Sequence, residues 1–132
     1  MLRLARERPE LRVVADQHGN PTYAPHLADA ILAIAPQIAG RAAAAPVWGV
    51  YHAAGSGEIT WHGFASAIIA AAKSLGVPQL PVVPIATADF PTPVRRPPNS
   101  RLDCSKLART FDIRLPAWQR GLAECIARLA AL

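Results

Sequence analysis

Apolar residues recur at the spacing of a helix in three stretches of the chain. The first stretch predicts an amphipathic helix over residues 25–39, in which Pro36 shortens or kinks the last turn. The second begins after Thr60, a residue suited to capping a helix, and is stopped by Gly76 and Pro78. The apolar positions along these two helices are Leu27, Ile31, Leu32, Ala35 and Ile38 in the first, and Trp61, Phe64, Ala65, Ile68, Ile69, Ala72 and Leu75 in the second. We expect Trp61 to be a core residue because it shares this apolar stripe.

The third helical stretch lies at the C-terminus, after a shorter helix. Asp103 or Ser105 is expected to cap the shorter helix, which continues to Phe111, and Pro116 begins the final one. One face of the final helix carries Trp118, Leu122, Cys125, Ile126 and Leu129. Residues 2–8 are also helix-like.

Three stretches are typical of strands. Residues 11–15 read as a short strand, and residues 79–87 as an extended run whose prolines favour the edge of a sheet. Residues 48–55 are apolar without clean alternation, which predicts a strand buried on both faces. A turn-rich loop over residues 16–22 and a linker over residues 40–46 separate these elements. The order is mixed, with helices dominating and no internal repeat, so we expect one α/β domain over residues 1–132, or α+β when it is isolated.

Composition narrows the class of protein. Half of the 132 residues are apolar (52%), which permits an ordinary packed core, and the net charge of +5 favours an anionic partner. No block of lysine and arginine typical of a nucleic-acid-binding tail is present, so nucleic-acid binding is not expected. No apolar run is long enough for a membrane span, and the two cysteines are far apart. These features indicate a cytoplasmic protein with free thiols.

The residues contain no complete catalytic or metal-binding motif. The histidines lack zinc-ligand spacing, and we expect His26 and His62 at helix surfaces. The sequence Gly55-Ser56-Gly57 would need a third glycine at position 60 to match the dinucleotide-binding fingerprint, but Thr60 stands there. We therefore interpret it as a turn.

Four motifs, in this order, resemble the C-terminal part of dTDP-4-dehydrorhamnose reductase, a family of extended short-chain dehydrogenases/reductases. They are LRVVADQHGNPTYAPHLADAI, GVYHAAGSGEITWHGFASAI, PIATADFPTPVRRPPNSRLDCSKL and FDIRLPAWQRGLAE. The resemblance covers essentially the whole chain. It implies that this chain is the sugar-nucleotide-binding portion of a Rossmann-type reductase whose N-terminal NAD(P)-binding domain is absent.

The resemblance also implies a substrate-binding segment. Residues 91–103 contain four prolines and three arginines, and related enzymes close such a segment over the bound nucleotide. Arg96 would then bind the diphosphate in bidentate fashion, with Asn99, Ser100 and Arg101 as further substrate-binding residues. Alternatively, Arg101 and Asp103 only pair and cap the following helix. Arg95 is interpreted as a solvated surface charge, and the loop over residues 16–22 as a support for the site.

The remaining implications concern catalysis and partners. The family's catalytic Tyr-x-x-x-Lys pair is missing, because Tyr23 is followed at the fourth position by Leu27 and Tyr51 by Gly55. We therefore expect no catalytic and no cofactor-binding residue in this chain, and no activity from it alone. The complete enzyme would reduce dTDP-4-dehydro-L-rhamnose with NADPH or NADH. The resemblance also allows magnesium and a homodimer. The alternative function is a non-catalytic regulatory module of the same superfamily that binds a partner enzyme.

Overall fold

A computed structural model of the chain describes residues 1–90, 92–94 and 96–132. The helices are α1 (Leu2–Glu7), α2 (Ala24–Ile38), α3 (Trp61–Ala71), α4 (Ser105–Phe111) and α5 (Trp118–Ala130). The strands are β1 (Leu11–Val14), β2 (His18–Gly19), β3 (Ile59–Thr60) and β4 (Val82–Ile85), and single 3-10 turns cover Ala72–Leu75 and Thr87–Asp89. The predicted helix-rich α/β character is confirmed.

The strands form two separate pairs. β1 and β4 pair in parallel from Leu11 opposite Val82 to Val14 opposite Ile85, which confirms the strands predicted in both stretches. The pairing continues one step further, because the Ala15 N–H donates to the Ile85 carbonyl oxygen at 2.9 Å. The loop after β1 therefore lies beside the chain that leaves β4. β2 and β3 form a short antiparallel pair.

Two apolar clusters form the core. The larger one joins α1, α3 and α5 to β1, and its buried members are Ala5, Leu11, Val13, Ala65, Ile69, Ala72, Val77 and Ile126. The smaller one lies between α2 and α4 and contains Ala30, Leu107, Phe111 and Leu115. No helix in the described ranges is long and apolar enough to cross a membrane.

The ends of α3 follow the local signals in the sequence. The Thr60 hydroxyl oxygen accepts the Gly63 N–H at 3.1 Å, which is the expected N-terminal cap. After the helix and its 3-10 turn, Gly76 adopts a left-handed φ of 66°, which costs glycine little. At α4, the N-cap position is Cys104, whose side chain makes no capping hydrogen bond, so the expected cap by Asp103 or Ser105 was wrong. The Asp103 carboxylate instead accepts the Ser105 N–H at 2.8 Å in the turn that precedes the helix.

The predicted buried faces of α2 and α3 need correction. Ile31 and Leu32 are 58% and 70% exposed, whereas Leu27 and Ile38 of the predicted face do pack against the smaller cluster, beside the buried Ala30. Trp61 is 52% exposed and is not a core residue. Helix α3 is apolar on two faces, and only the face of Ala65 and Ile69 meets the core.

The predicted strand over residues 48–55 is not formed, and this expectation was wrong for the chain by itself. A strand needs a neighbour, and no segment of the described ranges forms a ladder with these residues. Val50 is 80% exposed, and its carbonyl oxygen accepts a hydrogen bond from Lys106 Nζ at 3.0 Å. Tyr51 and Ala53 pack against the smaller core cluster instead.

Candidate functional site

The loop that follows β1, residues 16–22 including the two residues of β2, lies at the centre of the candidate site. On one side, His18 pairs with Thr60 and Gly19 with Ile59 in the short antiparallel ladder. The Gln17 carbonyl oxygen also accepts the N–H of Trp61 at 3.2 Å, which fixes the loop at the start of α3.

On its other side, the same loop binds residues 98–102. His18 donates its N–H to the Pro98 carbonyl oxygen at 2.8 Å. The His18 carbonyl oxygen accepts both the N–H and the hydroxyl of Ser100, each at 2.9 Å. The Leu102 N–H donates to Asn20 Oδ1 at 2.8 Å. The segment predicted to bind substrate is therefore attached along the loop like an additional short strand.

Asn99 and Arg101 are joined by their own contacts. Asn99 Oδ1 accepts the backbone N–H of Arg101 at 3.0 Å and its side-chain Nε at 2.9 Å. The Arg101 guanidinium forms an ion pair with the Glu58 carboxylate through Nη1. The alternative in which Arg101 pairs with Asp103 is not observed, since Glu58 is the carboxylate that Arg101 contacts.

Arg96 is placed differently from the other predicted residues. It is exposed, and within the described ranges its side chain makes no hydrogen bond or ion pair. A bidentate guanidinium with an open approach suits an anionic ligand. Arg95 lies outside the described residues.

A groove of about 590 Å³ borders this segment, a volume within the usual range of small-molecule sites. Ser100 contributes to its wall, together with Gly19 and Asn20 of the loop. Most of the remaining lining is apolar and comes from the starts of α1 and α2 and from α3 and α5, including Leu2, Tyr23, Trp61, Phe64, Ile68, Trp118, Leu122, Cys125 and Leu129. Because Trp61 lines this groove, its side chain is exposed and does not lie in the core.

Three carboxylates near these elements have lowered pKa values. For Asp103, the hydrogen bond that the Ser105 backbone N–H donates is the main cause of the lowered pKa. The Thr87 hydroxyl, followed by the Thr87 backbone N–H, donates to Asp16 and lowers the pKa of that carboxyl. Hydrogen bonds from Arg120 and then from His26 lower the pKa of Glu124. His26 Nε2 lies 2.7 Å from Glu124 Oε2, and its side chain is only 9% exposed, so the expectation of a surface histidine was wrong. Its burial follows from the contact between α2 and α5.

The described residues offer little to a metal or a dinucleotide. No group of three or more histidine, cysteine, aspartate or glutamate side chains in those ranges could hold a metal ion, so they supply no complete magnesium site. At the Gly55-Ser56-Gly57 turn, the Gly55 N–H already donates to Thr22 Oγ1 at 3.0 Å and the Ser56 N–H to the Pro116 carbonyl oxygen at 3.0 Å. These amides are occupied and do not form a phosphate cradle.

Sequence reasoning missed two contributors to the site. Asn20 links Leu102 to the Gly57 carbonyl oxygen, to which its Nδ2 donates at 2.7 Å. Glu58 holds Arg101. Both residues lie within the family-like motifs of the sequence, but the motif does not indicate which distant residue each side chain contacts.

The sequence model of one family, described as the RmlD substrate binding domain, matches residues 1–131. The chain belongs to the RmlD substrate-binding domain family.

Relatives of this RmlD domain are named dTDP-4-dehydrorhamnose reductase. The protein of Burkholderia thailandensis is 45% identical over 98% of the chain, and that of Escherichia coli K12 is 41% identical over 98% of it. The chain spans only 45% and 43% of the lengths of these curated relatives.

Solved structures of reductases with the same name have the same fold in the matching part. The Bacillus anthracis reductase in complex with NADP superimposes with a TM-score of 0.81 at 29% identity, over 96% of this chain and 41% of that one. The Clostridium acetobutylicum protein gives a TM-score of 0.80 at 31% identity, again over 96% and 41% of the two chains.

Proposed function

We propose that this RmlD domain, residues 1–132, is the sugar-nucleotide-binding portion of a dTDP-4-dehydrorhamnose reductase. The observation that carries the proposal is the match, over 98% of the chain, to relatives with that name. The complete enzyme would convert the C4 ketone of dTDP-4-dehydro-L-rhamnose to the alcohol of dTDP-L-rhamnose. NADPH, held by an N-terminal Rossmann domain of that enzyme, would supply the hydride. The two free cysteines, Cys104 and Cys125, fit a cytoplasmic enzyme.

Within this function, residues 96–101 would bind the diphosphate side of the substrate. Arg96 is the exposed cation of this segment and would meet the phosphate oxygens. Asn99 and Ser100 are held against the loop after β1, and Ser100 reaches the groove. Arg101 keeps 43% of its side chain exposed while paired with Glu58, so it can add positive charge at the same place.

The N-terminal domain is the protein partner that we propose for residues 49–54. Within the described ranges, none of the backbone N–H groups of these residues donates a hydrogen bond. Unpaired backbone in an apolar stretch is typical of a strand that joins another sheet. Pairing with the sheet of the N-terminal domain would satisfy these groups and cover Val50.

A chimeric enzyme tests the proposed function. This chain would replace the matching part of the Burkholderia thailandensis reductase, and oxidation of NADPH would be followed by absorbance with dTDP-4-dehydro-L-rhamnose as substrate. We expect turnover by the chimera and none by the isolated chain, because hydride donor, proton donor and substrate must be held together for reaction. A folded chimera that binds NADPH but gives no turnover would contradict the proposal and favour a regulatory module.

A further inference from the structure

The loop after β1 holds a second point of the chain besides residues 98–102. Asp16 Oδ2 accepts the Thr87 N–H at 2.9 Å, and Asp16 Oδ1 accepts the Thr87 hydroxyl at 2.6 Å. The Thr87 hydroxyl oxygen in turn accepts a hydrogen bond from Gln17 Nε2 at 3.0 Å. One hydroxyl therefore serves both as donor and as acceptor to neighbouring loop residues.

The burial of Gln17 shows how specific this contact is. Gln17 is only 6% exposed and is the buried polar residue among the described core positions. A buried amide that loses its hydrogen bond costs more than the bond itself contributes, because the group stays out of water. The Gln17 side chain therefore favours the arrangement in which Thr87 lies against the loop.

The two points of attachment, or anchors, are Thr87 and the pair Pro98 and Ser100. They lie on either side of the arginine-bearing segment, residues 88–97. Thr87 is held at residues 16 and 17, and Pro98 and Ser100 are held at residue 18. The chain between them, which includes Arg96, is thus closed onto one short loop at both ends. Folding therefore already restricts the conformations of this segment, so less conformational entropy is lost when a ligand binds.

We propose that Thr87 is a positioning residue of the sugar-nucleotide site. Through Asp16 and Gln17 it fixes the start of the segment that presents Arg96 to the diphosphate. This inference rests on the proposed function for its ligand, while the anchor itself is a property of the isolated chain. The two can therefore be tested separately.

The kinetic test compares Thr87→Val with Thr87→Ser in the chimeric enzyme. Valine has the shape of threonine but lacks the hydroxyl, whereas serine keeps it. We expect Thr87→Val to raise the KM for dTDP-4-dehydro-L-rhamnose about fivefold to tenfold, because the binding-competent arrangement is less populated. The kcat should change by less than about twofold, as for a loss of uniform binding. Thr87→Ser should remain near the parent, and so should Thr110→Val, an exposed control on α4.

Hydrogen exchange of the isolated chain tests the anchor without any ligand. In Thr87→Val, the amides of Asp89 and Phe90, which are bonded to Ala86 and Thr87, should exchange faster. The Ser100 amide, held by the other anchor, should stay protected, which separates a released anchor from misfolding. Unchanged exchange at Asp89 and Phe90, or a Thr87→Ser variant as impaired as Thr87→Val, would overturn the inference. Loss of activity in the parent chimera would instead count against the proposed function.

Discussion

Replacing Lys106 by methionine tests how residues 49–51 are held on the surface of α4. Lys106 Nζ donates to the Val50 carbonyl oxygen at 3.0 Å and lies 4.3 Å from the centre of the Tyr51 ring. A Cβ atom at Gly49, whose φ is 145°, would come within 3.1 Å of the same Nζ. Methionine keeps most of the apolar stem and removes the cation, so both attractive contacts are lost.

The expected loss follows from these two contacts. An exposed cation over an aromatic ring contributes about 0.5–1 kcal/mol, and a hydrogen bond contributes about 0.5–1.5 kcal/mol net. Lys106 is exposed, and holding its long side chain costs conformational entropy, which offsets part of the sum. We therefore expect the free energy of unfolding to fall by about 1 kcal/mol. For a domain of this size, the Tm should fall by roughly 3–5 °C.

Urea unfolding of the isolated chain, followed by circular dichroism, measures this change. The matched control is Lys73→Met, since Lys73 is an exposed lysine in the turn Ala72–Leu75. The control should change the free energy of unfolding by less than about 0.5 kcal/mol. Equal effects of the two substitutions would refute the role assigned to Lys106.

Three further predictions concern the core, the ligand and pH. Leu107→Ala should lower the free energy of unfolding by about 2–5 kcal/mol, whereas Leu32→Ala on the exposed face of α2 should change it little, as measured by urea unfolding. In the chimera, Arg96→Ala should weaken dTDP-sugar binding roughly 10- to 150-fold in calorimetric titration; equal weakening of NADPH binding would indicate misfolding instead. Asp16 and Glu124 have lowered pKa values in the folded chain, so their ionised carboxylates stabilise the fold fully above about pH 4–5. This stabilisation is lost as the pH falls through the lowered pKa values. The urea midpoint should therefore drop between about pH 5 and pH 2, and a flat profile would contradict these contacts.

The sequence by itself determined features with local causes. The Thr60 hydroxyl lies within one turn of the N–H that it caps, and Gly76 needs only its own freedom at positive φ to end the stretch that follows α3. Strand β1 was predictable because a short apolar run rich in valine lies between Pro9 and the turn-rich loop over residues 16–22. The family resemblance was readable for the same reason, since each motif is a continuous run of residues.

The tertiary structure decided which apolar face is covered and which polar groups meet. Spacing showed that Ile31 and Trp61 lie on apolar faces, but their exposure depends on which helices pack beside α2 and α3. Residues 48–55 have the composition of a strand and form none here, because pairing requires a neighbouring strand that composition cannot supply.

The anchors of the candidate site belong to the same category. Asp16 meets Thr87 across a sequence separation of 71 residues, and Glu58 meets Arg101 across 43. Local sequence patterns give no information on such pairs. The pairing of β1 with β4 brings Asp16 beside Thr87, which follows β4. The pairing of β2 with β3 brings Glu58, which precedes β3, beside the loop to which the segment of Arg101 is bound.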